Sequence, residues 1–122
     1  MGLQGEIGLR LMDDADIRAL NRTFRRHDAA TDVLSFPGVT PGCAGDIAIS
    51  LDTAGRQARA QRHSVETEVR ILLLHGLLHL AGLDHETDNG DMRRQERDLR
   101  LQLGLPPGLI ERAHRRKIKA HG

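Results

Sequence analysis

Residues 64–85 read SVETEVRILLLHGLLHLAGLDH, and this stretch decides most of the fold. Ser64 is a typical helix N-cap residue, and the apolar residues that follow recur at helical spacing as far as Leu80. Gly82 stands where helices commonly end in a left-handed residue. The pattern therefore predicts a mostly core-facing helix that begins after Ser64 and ends shortly before Gly82.

Two histidines lie four residues apart on this helix. Residues at that spacing share one face, with Cβ atoms about 5 to 6 Å apart, so His75 and His79 can both reach one ion at about 2.0 to 2.1 Å. After the turn at Gly82, His85 can supply a third nitrogen. Three protein ligands leave a fourth position for water, whose pKa a metal lowers from about 15.7 to about 7. The sequence predicts one catalytic transition-metal ion, zinc in the first instance, although nickel, copper or iron suit the same nitrogens.

The same spacing matches the peptidase pattern H-E-x-x-H-x-x-G-x-x-H, in which a glutamate general base follows the first histidine. Gly76 occupies that position, which disfavours a protease. Asp84 and Glu86 are the sequence neighbours that could accept the second ring N–H of a ligand histidine, and a solvated surface position is an equal alternative for each. The other histidines have no partner spacing and are predicted to be exposed: His27, His63, His114 and His121.

The rest of the chain alternates strand and helix patterns. The segment from Glu6 to Met12 alternates apolar and polar residues, as in a half-buried strand, and a capped helix follows from Asp13 or Asp14. The further predicted elements are strands at Thr31–Phe36 and Asp46–Ser50, a helix at Asp52–Arg62 and a helix at Asp91–Leu103. The prediction is an α+β fold: a small sheet of about three or more strands, helices packed on it, and the metal site on a central helix and the turn after it.

The length of 122 residues fits one domain, 1–122, with a basic C-terminal tail from about residue 107. The chain contains no Trp and no Tyr, and its only aromatic residues of the Phe, Trp and Tyr class are Phe24 and Phe36. Stacking of bases on Trp or Tyr is therefore excluded as a means of recognition. The net charge is +1, but positive charge concentrates around Arg25 and again from Arg112 to Lys119.

The most apolar run, Ile71 to Leu83, is shorter than the roughly 20 residues needed to span a bilayer. Cys43 has no partner for an internal disulfide. These features predict a cytoplasmic protein without membrane contact.

Three separated segments match the motifs of one known protein family. The histidine segment HGLLHLAGLDH is similar to the family signature H-G-x-L-H-L-x-G-[YF]-D-H, with Leu83 in place of the aromatic residue. The segment Asn21 to Pro37, NRTFRRHDAATDVLSFP, resembles N-x-x-[YF]-R-x-x-D-x-P-T-[DN]-V-L-S-F-P, and Gly45-Asp46-Ile47 resembles part of L-G-D-I. The chain therefore resembles the YbeY family of bacterial endoribonucleases, and the resemblance runs from about Glu6 to Leu105.

The resemblance implies an α+β metalloprotein in which His75, His79 and His85 hold an ion usually taken as zinc. It implies cleavage of single-stranded RNA in 16S rRNA 3′-end maturation and ribosome quality control, hence rRNA and the small ribosomal subunit as partners. Arg25 matches the family's functionally important arginine, whose expected role is to bind phosphate or stabilise negative charge. Asp28, Thr31, Ser35 and Asp46 also match family positions, but turn and strand-end roles account for them.

Two alternatives stay open at this point: a metallohydrolase of another substrate class, such as a peptidase, and a ribosome-associated binding factor whose metal is structural. The chain departs from the family at its start, where members usually carry roughly another helix and strand before the segment equivalent to Glu6. If that segment is truly absent, the sheet is left with an exposed edge that can promote association; a misplaced start codon is the alternative explanation. The oligomeric state is not predicted.

Overall fold

The computed structural model describes residues 5–25, 31–39, 42–83 and 90–112. They form the predicted α+β fold, with helices packed on a small mixed sheet. The predicted strands and helices are confirmed, with small shifts at some ends: the third strand begins three residues before Asp46. The elements are β1 (Glu6–Met12), α1 (Asp14–Arg25), β2 (Val33–Pro37), β3 (Cys43–Ser50), α2 (Leu51–Gln61), α3 (Val65–Leu80) and α4 (Asp91–Leu103).

The described sheet has three strands in the order β1-β3-β2. Strand β1 runs parallel to β3, with Leu9 opposite Ile47, whereas β2 runs antiparallel to β3, with Ser35 opposite Ile47. Because β3 is central, side chains on both of its faces are buried: Ile47 and Ile49 on one, Ala48 on the other. Helices α2 and α3 cover the first face and α1 covers the second.

Helix α3 lies close against the sheet at Gly76. A Cβ atom there would lie 3.1 Å from two of the Ile47 side-chain carbons, Cδ1 and Cγ2, and 3.1 Å from the Ser35 Oγ atom. The Ser35 Oγ atom donates a hydrogen bond of 3.0 Å to the Gly76 carbonyl oxygen. The absent side chain therefore lets α3 lie against β2 and β3, and this packing fixes the helix that carries both histidines.

Local signals at the helix ends act as predicted. The Ser64 hydroxyl accepts the Thr67 N–H at the start of α3, and the Asp13 carboxylate accepts the Asp16 N–H at the start of α1. Gly82 has φ +92° and Gly104 has φ +70°, so each takes the left-handed conformation after its helix. Within the described residues, no helix combines the length and apolar character that crossing a bilayer requires.

Strand β1 is covered less than its alternating pattern suggests. Ile7 packs against the core, but Leu9 and Leu11 are 43% and 49% exposed. The reason is tertiary: β1 lies at one edge of the described sheet, and α3 packs on β2 and β3. Alternation identifies the strand correctly, but it does not show how far the covering helices extend.

Residues 109–112 form a helical turn that packs on the body of the molecule, although the sequence assigned them to a basic tail. Ile110 is buried against Leu74, Leu78 and Met92. Arg112 is 8% exposed because its guanidinium donates two hydrogen bonds, of 3.1 and 2.9 Å, to the fully buried carboxylate of Glu68. Basic character at this position therefore serves an internal ion pair.

The predicted exposure of His63 is wrong. Its Nε2 atom lies 2.7 Å from Glu68 Oε1, and its side chain is 14% exposed. His63 precedes α3, whose first turns carry Glu68, so the turn after α2 brings the ring onto the carboxylate. The other three histidines of that prediction lie outside the described residues.

The start of α1 is joined to α2 through Asp14. Its carboxylate accepts hydrogen bonds from the Ser50 hydroxyl, from the Thr53 hydroxyl at 2.7 Å and from Arg56 at 2.8 Å. The bond from Ser50, followed by those from Arg56 and Thr53, lowers the pKa of Asp14 from 3.8 to about 2. These hydrogen bonds favour the ionised form of Asp14, so the link between α1 and α2 depends on the negative charge of this carboxylate.

Asp14 is therefore expected to make folding pH-dependent in acid. Because its pKa is depressed in the folded state, its stabilising contribution is complete above 3.8 and is lost as the pH falls through about 2. We expect the urea midpoint of Asp14→Asn to be lower than that of the wild type at neutral pH and to approach it in acid. Asp16→Asn, in the same first helical turn, is the control. Parallel pH profiles for wild type and Asp14→Asn would contradict this assignment.

Candidate metal centre

His75 and His79 lie in the C-terminal half of α3 with their rings facing each other. Their Nε2 atoms are 3.1 Å apart, and the ring planes meet at 77° with centroids 4.6 Å apart. The helix sets the spacing, since residues i and i+4 lie one above the other. The structure thus brings together two of the three predicted metal ligands.

The two rings line an open cleft of about 360 Å³ between the end of α3 and strand β2. His75 is 8% exposed, so it forms the buried side of the pair, while His79 is partly exposed. The cleft has a mixed polar and apolar wall, lined by Thr31, Asp32, Val33, Ser35, Pro37, His75, His79 and Leu80. A small polar group can therefore reach both imidazoles.

The donor geometry fits a transition-metal ion. Two nitrogens bound at about 2.0 to 2.1 Å to one tetrahedral ion lie about 3.3 Å apart, within a few tenths of an ångström of the observed separation. Among residues 5–25, 31–39, 42–83 and 90–112, no group of three or more His, Cys, Asp or Glu side chains is placed to hold an ion. His85, the predicted third ligand, lies outside those residues, so that part stays a prediction.

A carboxylate that the sequence analysis missed lies behind His75. Glu96 of α4 is 1% exposed, and its Oε2 atom is 3.6 Å from His75 Nδ1. The predicted neighbours, Asp84 and Glu86, lie outside the described residues. One signal could have identified Glu96: it follows Met92 by four residues, so an acid stands on the apolar face of α4.

Arg25 is the last residue of α1, and its side chain lies outside the described part of the chain. The next described residue is Thr31, which lines the cleft. The predicted role of Arg25 stays a prediction.

The position of Gly76 bears on the peptidase alternative. In the peptidase pattern this position carries the glutamate that acts as general base. Here even a Cβ atom would lie 3.1 Å from Ile47 and from the Ser35 hydroxyl, which is tighter than ordinary packing. A glutamate would have to point into the sheet, so the arrangement disfavours that chemistry.

A family model and the curated relatives that match this chain carry the same description. The family model described as Endoribonuclease YbeY matches residues 1–104. The Endoribonuclease YbeY of Koribacter versatilis is 51% identical over 119 residues, which cover 98% of this chain and 78% of that protein. The protein of the same name from Solibacter usitatus is 59% identical over 99 residues, covering 81% of this chain and 67% of that one.

A solved structure is also similar. The solution structure of TM1509 from Thermotoga maritima matches with a TM-score of 0.55 and 31% sequence identity. The match covers 77% of this chain but 65% of that protein, so the present chain spans slightly less than two thirds of it. The shared part supports the same fold for both chains.

Proposed function

Because this chain belongs to the YbeY family, we propose that it is a metal-dependent endoribonuclease specific for single-stranded RNA, acting in 16S rRNA 3′-end maturation and ribosome quality control. The observation that carries the metal part is the 3.1 Å separation of the His75 and His79 Nε2 atoms in an open cleft. The family supports the choice of RNA. The proposed partners are rRNA and the small ribosomal subunit.

In this proposal one ion, zinc in the first instance, is held by His75, His79 and His85. When bound, such an ion supplies Lewis-acid chemistry: it stabilises negative charge on phosphate oxygens and acidifies water. The protein's own contribution begins with α3, which holds two imidazoles at a fixed separation. Ser35 ties α3 to β2 through the Gly76 carbonyl, so the histidines and the opposite cleft wall keep their relative positions.

Cleavage also requires that the negative charge on the substrate phosphate be stabilised. Phosphodiester cleavage increases negative charge on the phosphate, and a guanidinium can form two hydrogen bonds to it. We assign this role to Arg25 on the basis of the family resemblance. Since aromatic residues are scarce, the cleft would bind RNA through backbone charge, hydrogen bonds and shape instead of base stacking.

Substrate choice and metal dependence can be tested together. The chain is stripped with a chelator, reloaded separately with zinc, nickel or manganese, and incubated with a single-stranded 16S 3′-end fragment, the same fragment in a duplex, and casein. We expect cleavage of the single strand, little of the duplex, none of casein, and no activity before reloading. A 2′,3′-cyclic phosphate end would show attack by the ribose hydroxyl.

Cleavage of casein without cleavage of RNA would favour the peptidase alternative. RNA cleavage that persists in metal-free protein would contradict the metal-dependent mechanism. Tight metal binding with no hydrolysis of either substrate would favour a binding factor with a structural metal.

A further inference from the structure

The buried carboxylate of Glu96 is held in a fixed orientation by the C-terminal turn. Its Oε1 atom accepts the backbone N–H groups of Ile110 and Glu111, at 3.2 and 3.3 Å. The backbone at Gly108 approaches so closely that a Cβ atom there would lie 2.5 Å from the carboxyl carbon of Glu96. One oxygen and the plane of the carboxylate are therefore set by the main chain.

The second oxygen is directed at the metal centre. Glu96 Oε2 lies 3.6 Å from His75 Nδ1, and within the described part of the chain no donor is within hydrogen-bonding distance of this oxygen. A buried carboxylate oxygen without a donor costs free energy. A small rotation of the His75 ring brings an Nδ1–H group into range, so the pair favours the tautomer with its proton on Nδ1.

That tautomer has a consequence on the opposite side of the ring. With Nδ1 protonated, Nε2 carries a lone pair, and this atom faces His79 Nε2 at 3.1 Å. In the metal-free protein His79 can donate its own N–H to that lone pair. The His75 nitrogen that a metal needs is thus already deprotonated and aimed at the point between the two rings.

We propose that Glu96 is a positioning residue, which holds His75 in the Nδ1–H tautomer with its Nε2 lone pair directed at the ion site. The inference rests on the proposed function, because it assumes that the His75 Nε2 lone pair binds a metal ion. Partners of this kind fix the orientation and raise the basicity of a ligand histidine, and their loss typically lowers metal affinity 10- to 100-fold.

Glu96→Gln tests the idea with little change of shape. The glutamine carbonyl can still accept the N–H groups of Ile110 and Glu111, whereas its NH₂ group faces His75 Nδ1. A donor at that place favours the Nε2–H tautomer, which cannot bind an ion through Nε2. We expect the His75 ring ¹⁵N shifts of metal-free protein, recorded at about pH 8, to show Nδ1–H in wild type and Nε2–H in the variant.

Zinc affinity, measured by competition with a chelating dye, is expected to fall 10- to 100-fold in Glu96→Gln. The matched control is Arg100→Gln. Arg100 also joins α4 to the C-terminal turn, through two hydrogen bonds to Glu111 of 2.9 and 3.0 Å. Its loss should leave both the His75 tautomer and the zinc affinity at wild-type values.

An Nε2–H tautomer of His75 in the wild type overturns the proposal, and this measurement needs no variant to fold. An unchanged tautomer in folded Glu96→Gln also overturns it. If the wild type shows Nδ1–H and the variant Nε2–H but neither takes up zinc, Glu96 has the proposed role and the metal-dependent function is wrong. The two failures are therefore distinguishable.

Discussion

His79→Ala is expected to lose bound metal and to cleave single-stranded RNA more than about 100-fold more slowly than the wild type. The reason is that His79 supplies one of the two nitrogens that the structure places 3.1 Å apart. Removal of a residue that merely orients a ligand typically costs 10- to 100-fold in affinity, so removal of the ligand itself should cost more. Metal content by mass spectrometry and cleavage of a labelled fragment measure the two effects separately.

Arg25→Ala is the informative companion to this variant. It should keep one ion per chain and lose about 100- to 1,000-fold in the cleavage rate, since it removes only a group that stabilises charge during the reaction. Glu66→Ala, at an exposed position on the same helix as His79, controls for substitution in α3. Equal cleavage by wild type, His79→Ala and Arg25→Ala would assign the activity to a contaminant and leave a binding factor as the better account.

Arg112→Met is expected to destabilise the fold by about 3 to 5 kcal/mol, because it leaves the carboxylate of Glu68 buried without its main partner. Burial raises the pKa of Glu68, but the hydrogen bonds from Arg112 and His63 outweigh it, so the pKa lies below 4.5 and the group is ionised at neutral pH. Urea unfolding followed by circular dichroism measures the loss. Since the folded pKa is depressed, the contribution is present above 4.5 and declines as acid protonates Glu68.

An exposed pair on the same helix is the matched control. The Arg70 Nη2 atom lies 2.6 Å from Glu66 Oε1, but the two side chains are 64% and 74% exposed. Arg70→Met should therefore lower the free energy of unfolding by less than about 1 kcal/mol. The double variant Arg112→Met with Glu68→Leu should recover part of the lost stability, because no unpaired buried charge remains. If Arg112→Met costs no more than Arg70→Met, the ion pair does not hold the C-terminal turn.

The sequence alone determined the features that depend on near neighbours along the chain. The Ser64 cap, the bounds of α3 and α4 and the left-handed Gly82 and Gly104 follow from residues within a few positions of each other. The His75–His79 pair belongs to the same class, because one helical turn fixes its geometry. His85 and Arg25 stay predictions that rest on spacing and on family resemblance.

Only the tertiary structure decided which distant side chains meet. Glu96 follows His75 by 21 residues and Arg112 follows Glu68 by 44, and neither pair shares a helix or a pattern that would connect them. The sheet order β1-β3-β2, which leaves Leu9 and Leu11 half exposed, is likewise not a local property. Periodicity shows which residues face a core, but the packing of α3, α4 and the C-terminal turn selects the partner of each buried charge, because a carboxylate out of water needs whichever donor the fold brings to it.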